Sequence, residues 1–342
     1  MVPLRRFAAQ LDWQIGKAVG DAKPRIDLKV SKARFENDDV QAELEANWHT
    51  GAAEGLGKGA RLPGVLEMTG RLSQGKAAQV SRYLPLGIPA PVRDYVRRAV
   101  LGGRVPSATF KVKGDLWDFP FVQRNEGEFR ITAQAQDVTL DSVPAPTSGL
   151  VATGSAAATA TGATSAWPAF SQVSGELLFD RTSMQIRNAS GRLWGVSLTG
   201  VQGGIANLAE HAVLKLEGRG TGPAADFVRY LHTSPVGGWL DHALDRATAE
   251  GHADLQLALN LPLDQLDKST AKGSVTLAGG DLRIRPDVPL LAGARGRVDF
   301  TQQGFSVAGT ARAYGGEAIE RARQTIAAEM RIITKMDLTL TI

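Results

Sequence analysis

No cysteine occurs anywhere in the 342 residues, which excludes disulfides, thiolate metal sites and cysteine nucleophiles together. Aromatic residues are scarce, at 6%. No stretch of about 18 apolar residues exists that could cross a bilayer as a helix, and the opening MVPLRRFAAQLDWQ has no apolar core for an export signal. A strong charge of one sign is also missing: the formal balance is +4, with Lys and Arg interleaved among acids. The densest basic knot, Arg93, Arg97 and Arg98, falls on an expected helix. It reads as a solvated face, so no nucleic-acid partner is expected, although mild attraction to anionic lipid headgroups fits it.

What the chain has in quantity is alternation. Ile26, Leu28 and Val30 are set among Arg25, Asp27, Lys29 and Ser31, and Ala42, Leu44, Ala46 and Trp48 among Gln41, Glu43, Glu45 and Asn47. Phe110, Val112 and Leu116 repeat the pattern, as do Phe129, Ile131, Ala133 and Ala135, and then Leu255, Leu257, Leu259 and Leu261. A period of two marks strands with one dry and one wet face. Parallel sheets covered on both faces would show continuous apolar runs instead, so the strands are expected to be antiparallel. The 38 glycines fall mostly between short apolar runs, as turns do in a many-stranded protein. The fold class expected is mainly β with a few helices.

Helical spacing interrupts the strands at about residues 90–101 and 224–246, the second split at Ser234-Pro235. Their flanks echo one another: Arg82-Tyr83-Leu84 and Arg229-Tyr230-Leu231 lie about 147 residues apart, consistent with a large unit used twice. A second echo pairs Gly175–Phe179 with Gly296–Phe300. Residues 144–166 are almost wholly Ala, Thr, Ser, Gly and Pro and are expected to be a disordered loop, either dividing two domains or hanging from one continuous sheet. The expected organisation is a first β unit over 1–143, that loop, a second β unit over 167–316 and an atypical tail over 317–342. In the tail Ile319, Ala322, Ile326, Met330 and Ile333 share a helical face, so it is not expected to continue the β pattern.

Polar constellations that could carry chemistry resolve into structural features. Gly218-Arg-Gly220-Thr-Gly222-Pro223 resembles a phosphate-binding loop, but Pro223 stands where a dinucleotide fingerprint needs Gly, and a strand-to-helix turn with Pro at the first helical position is expected. His49, His211, His232, His242 and His252 lack metal-ligand spacing. Asp241, His242 and Asp245 have no nucleophile elbow to serve, and Glu43 with Glu45 belongs to a wet face. Trp117–Phe121 and Trp167-Pro168 read as corner-packing residues. No catalytic, cofactor or metal site is expected.

An ordered set of phrases carries a family resemblance: Tyr83-Leu84-Pro85, Gly114–Phe121, Trp167-Pro168 before Gly175–Asp180, Ser234-Pro235, Leu255–Leu263 and Gly296–Phe300. Over residues 1–316 the chain resembles the central region of the YhdP family of AsmA-like proteins of Gram-negative bacteria. The resemblance implies a strongly bent, elongated antiparallel sheet forming an open groove or half-barrel. It implies a place in the cell envelope, on the periplasmic side of the inner membrane, with phospholipids passing toward the outer membrane. Phospholipid acyl chains would then be the ligand, envelope membranes would be reached through the full-length protein, and no cofactor is implied. Leu28, Leu44, Phe110, Val112, Ile131, Leu255, Leu257 and Leu259 are the residues expected to line the groove. The sequence departs from the family in lacking an anchor or export route and in its shortness, so a gene fragment or frameshifted product is expected. The alternative is a structural or interaction module of the envelope that conducts no lipid. The oligomeric state is left open.

Overall fold

Alternation of the kind seen at Leu255–Leu261 places successive side chains on opposite faces, and in the computed structural model nearly every such segment is a strand. The structure describes residues 3–16, 23–84, 88, 90–145, 167–234, 244–265, 268–287, 289–301, 304–313 and 333–341. The first strands are β1 (Arg6–Gly16), β2 (Arg25–Glu36), β3 (Gln41–His49) and β4 (Val65–Lys76). A 3-10 segment, Ala77–Tyr83, and α1 (Ala90–Ala99) lead to β5 (Val100–Asp115) and β6 (Gly127–Leu140). Then come β7 (Phe170–Asp180), β8 (Ser183–Leu193), β9 (Val196–Ile205) and β10 (Val213–Pro223), followed by α2 (Ala224–Thr233). The remainder is the two-residue β11 (Thr248–Ala249), β12 (His252–Pro262), β13 (Thr270–Arg283), β14 (Leu291–Thr301), β15 (Gly304–Arg312) and β16 (Ile333–Thr341).

These strands form one sheet in chain order from β1 to β16, with only β11 off the path, paired to β13. Every pairing is antiparallel except β15 with β16, which is parallel. β1 and β16 are the two edges, so the sheet does not close into a barrel. The mainly β, open antiparallel architecture expected above is the one found. At about 4.8 Å per strand the sheet extends roughly 65–70 Å from edge to edge, and strands of this length make it about 35 Å wide. β6 pairs directly with β7, so the segment between them joins neighbours in this one sheet. Of the expected disordered loop, 144–166, all but residues 144 and 145 lie outside the described residues, as do 235–243 and 314–332.

Bulges bend the sheet. The register slips between Val30 and Ala33 in β2, Ala135 and Val138 in β6, and Ile186 and Ala189 in β8. Lys32, Asp137 and Asn188 sit at these slips with φ of 51°, 53° and 48°, in the left-handed region. An extra residue in one strand lets the next apolar side chain return to the same face while the strand turns and twists more sharply. In β5 the corresponding place is taken by Gly103, with φ of 105°.

Several boundaries differ from the sequence reading. The helix expected over about residues 90–101 ends at Ala99, and Gly102-Gly103 after it lies inside β5, where Gly103 is a bulge within the strand. Gly218, Gly220 and Gly222 likewise lie in β10 and not in a turn, and Pro223 precedes the first helical residue as N-cap. The reason is steric: a Cβ on Gly218 would fall 2.9 Å from Val201 Cγ2, and one on Gly222 2.8 Å from Val196 Cα. Ile333, expected on a helical face, opens β16, so the end of the tail joins the sheet after all. The expected second half of the helix after Pro235 falls largely outside the described residues. Both sequence echoes occupy matching places. Tyr83 and Tyr230 follow β4 and β10, whereas Gly175–Phe179 and Gly296–Phe300 lie in β7 and β14, and either step is the same distance along the sheet order.

Candidate functional site

Antiparallel partners share a face, so strand register traces rungs across the sheet. One rung begins Phe7, Phe35, Ala42, Leu72, Ala108 and Ala133. It continues through Leu177, Ile186, Gly203, Leu216, Leu259 and Ala271, reaching β13 without a polar side chain. A second runs from Ala33 through Leu44, Gly70, Phe110 and Ile131 to Phe179, Met184, Ile205, Leu214 and Leu261. Shorter rungs flank them, including Leu11, Val30, Ala46, Met68, Val112 and Phe129.

All eight residues expected from the sequence fall on this face. Leu44, Phe110 and Ile131 share one rung; Leu28 and Val112 lie on rungs beside it; Leu255, Leu257 and Leu259 follow one another along β12. The two groups sit at separate places along the sheet and are joined by the rungs. Trp13, Phe35, Leu66, Leu72 and Met184 belong to the same face and were not singled out in the sequence, and Trp48 and Phe179, named there for alternation and for an echo, join them without having been expected as lining. The signal was present in β1, where Leu11, Trp13 and Ile15 alternate with Asp12 and Gln14. In β8 it was broken by the slip at Asn188.

The face is sheltered although, among the described residues, no second sheet covers it. Alanine is a fair probe, because its side chain is the same everywhere. On the apolar face Ala42 and Ala108 are each 4% exposed and Ala46 is 9% exposed. On the opposite face Ala258, Ala278 and Ala308, partnered with Lys272, Arg295 and Arg297, are all exposed. Neighbouring side chains therefore lean together on the apolar side and splay apart on the other, which makes the apolar side concave. Rings lie over glycines where the rungs narrow: a Cβ on Gly70 would come 2.3 Å from Phe110 Cζ, and one on Gly273 2.7 Å from Phe300 Cζ.

The convex side is a field of opposite charges. Glu43 takes Arg34 at 3.0 Å and Arg71 at 2.5 Å, Glu67 takes Lys113 at 3.0 Å, and Asp180 takes Arg130 at 2.8 Å. Exposed pairs of this kind stabilise by about 0–1 kcal/mol each, so their main effect is to keep that side wet. Glu43 and Glu45 belong here, as the alternation implied.

The two rims differ. At one, Phe121 is fully buried and its ring fills the space left by Gly114 and Gly127, with Phe119 in edge contact with both Phe121 and Phe129 at ring centroid distances of 5.8 and 5.0 Å. At the other, both helical crossovers leave even-numbered strands running the same way, after β4 and after β10. There Arg82 pairs with Asp39 at 2.7 Å, and the Tyr83 hydroxyl accepts from Asn37 Nδ2 at 2.8 Å, tying the first crossover to the β2–β3 turn. Asp226 accepts from the Gly195 amide at 3.0 Å and Arg229 lies 4.1 Å over the Trp194 ring, tying α2 to the β8–β9 turn.

The described histidines are scattered, each with its own local partner: His49 with the Thr50 carbonyl, His211 with Asp264, His232 with the Leu244 carbonyl and His252 with Thr221. His242 and Asp241 lie outside the described residues. Among the described residues no group of three potential ligands is placed to hold a metal, and no helix is long and apolar enough to cross a membrane.

An open, bent, single-layer antiparallel sheet with a continuous apolar face and a charged back defines the class of the protein. The chain belongs to the YhdP protein family, whose model matches residues 2–336. The match runs past Gly316, where the sequence resemblance was expected to stop, in keeping with the pairing of β16 to β15. No curated protein and no solved structure matches the chain.

Proposed function

We propose that this chain forms a stretch of hydrophobic groove along which phospholipid acyl chains pass between the membranes of a Gram-negative envelope, on the periplasmic side of the inner membrane. The role is one of binding and passage and not of catalysis, and the rest of the path is supplied by the full-length protein and the envelope membranes it meets. The observation that carries this reading is the rung from Phe7 to Ala271, which presents only apolar side chains and glycine from β1 to β13 on a concave face. Family membership supports the same reading. Each methylene buried against such a face gains about 0.8 kcal/mol at most. Because that attraction has no direction, an acyl chain can shift along the rungs without breaking any specific bond, which suits passage better than tight capture.

A photo-crosslinking residue placed at Val112 or Leu257, within an intact family member in cells, is expected to capture phospholipid, whereas the same residue at Lys111 or Gln256 on the charged side captures little. Equal capture from both faces sinks the groove. A second reading, an envelope module whose apolar face is closed by protein, is favoured locally by Phe121 over Gly114 and Gly127. Native mass spectrometry that finds no retained lipid would support it.

A further inference from the structure

The helix α2 does more than connect β10 to β12. Ala224, Ala249 and Ala253 form a buried cluster, and Phe227 and Val228 of α2 pack against it, as do Val275, Leu277 and Leu282. Val275 and Leu277 belong to the apolar face, since Val275 is opposite Leu255 and Val298, and Leu277 opposite Ala253 and Gly296. Protein side chains therefore take the place on this part of the face that an acyl chain takes in the proposed groove. The outer flank of α2 is held by contacts of another kind: the Gly195 amide on Asp226, Arg229 over Trp194, and Trp167 beside Tyr230 at 6.3 Å. These fasten the helix to the β8–β9 turn and to the residues before β7. Ala224, Phe227 and Val228 are the apolar anchors of this helix at the cluster, and the fastening adds to them.

We infer that α2 is a latched lid at the rim of the apolar face, seated over Ala253 beside Val275 and Leu277 and held shut by Asp226 and Arg229 on the β8–β9 turn. With the latch closed, acyl chains are confined to the rungs away from this rim. With it open, the rim end of β12 and β13, at Ala253, Val275 and Leu277, joins the open face as well. The inference rests on the groove reading for its meaning, but the seating of the helix can be measured without lipid.

The absence of cysteine makes that measurement clean, because any thiol introduced is the only one present. In the purified chain, Val275→Cys is expected to react with a maleimide at least fivefold faster when Asp226→Ala and Arg229→Ala cut the latch. Gln256→Cys on the charged side and Leu44→Cys far from α2 should keep their rates. An unchanged rate at Val275→Cys overturns the lid, and so does an equal rise at Leu44→Cys, which would mean general loosening. A second variant fixes the lid shut: Gly195→Cys with Asp226→Cys, oxidised to a disulfide. Incubated with phosphatidylethanolamine and phosphatidylglycerol vesicles carrying a diazirine acyl chain, the oxidised form is expected to be labelled around Phe110 but not at Val275 or Leu277, and reduction should add label there. Labelling at Val275 that ignores oxidation overturns the lid. No labelling anywhere, Phe110 included, overturns the groove while the thiol rates still decide whether α2 opens.

Discussion

Gly114 and Gly127 face each other across β5 and β6, and the ring of Phe121, fully buried, lies over both of them. Two residues without side chains make room for one large ring, so the ring is held from below by backbone and from the side by Phe119. Truncating it to alanine removes the largest fully buried side chain among the described residues. Phe121→Ala is expected to lower stability by about 3–5 kcal/mol, read as a shift in the urea midpoint, whereas Val122→Ala, exposed one residue on, should shift it little. Tyr230 makes a different residue-scale prediction. Burial pushes its phenol up to about 12 from an ordinary 10.0. The folded form thus keeps its proton where the unfolded chain has lost it. This stabilisation is complete below pH 10 and is lost as pH rises toward 12. Urea midpoints measured between pH 9 and 12 should fall more steeply for the native chain than for Tyr230→Phe, and parallel slopes would remove Tyr230 from the account.

At the scale of the strand, the bulges govern both shape and legibility. Lys32 holds a left-handed backbone that costs a non-glycine residue about 1–2 kcal/mol relative to glycine, so Lys32→Gly should raise the urea midpoint and Lys32→Val should lower it, with the apolar face unchanged in either case. The opposite order would mean that the bend at β2 is not stored there. The same bulges explain what could be read from the sequence. Leu255–Leu261 lies in an unbroken stretch of β12, and its alternation showed strand, face and lining residues at once. In β8, Met184 and Ile186 belong to one phase and Ala189, Gly191 and Leu193 to the next, so a period of two fails over the strand although every one of them faces the same way. Gly218 and Gly220 looked like a loop because glycine usually marks one, yet here each makes space for a neighbour, Val201 or Leu198, leaning across the rung. Phase slips and cross-strand fillers are properties of pairs of strands, and a single strand's sequence does not contain its partner's register.

Taken whole, the molecule is built from neighbours. Strand follows strand in chain order, and among the described residues the buried clusters around Leu291 and around Ala253 are small and lie at one rim. Among the described residues the sheet has no second sheet layer and so no common core through which a distant change is felt, and its stability is a sum of local strand pairs, as in a repeat protein. This is also what an open track requires: an opposing layer that tied the two ends together would fill the space above the rungs. The consequence can be measured with amide hydrogen exchange. In Phe121→Ala, protection is expected to fall in β4, β5, β6 and β7, which pair in succession around the lost ring, and to stay at its native level in β13 and β14. A uniform loss from β2 to β15 would show one cooperative body, and the apolar face would then have to be read as half of a closed core and not as an open surface.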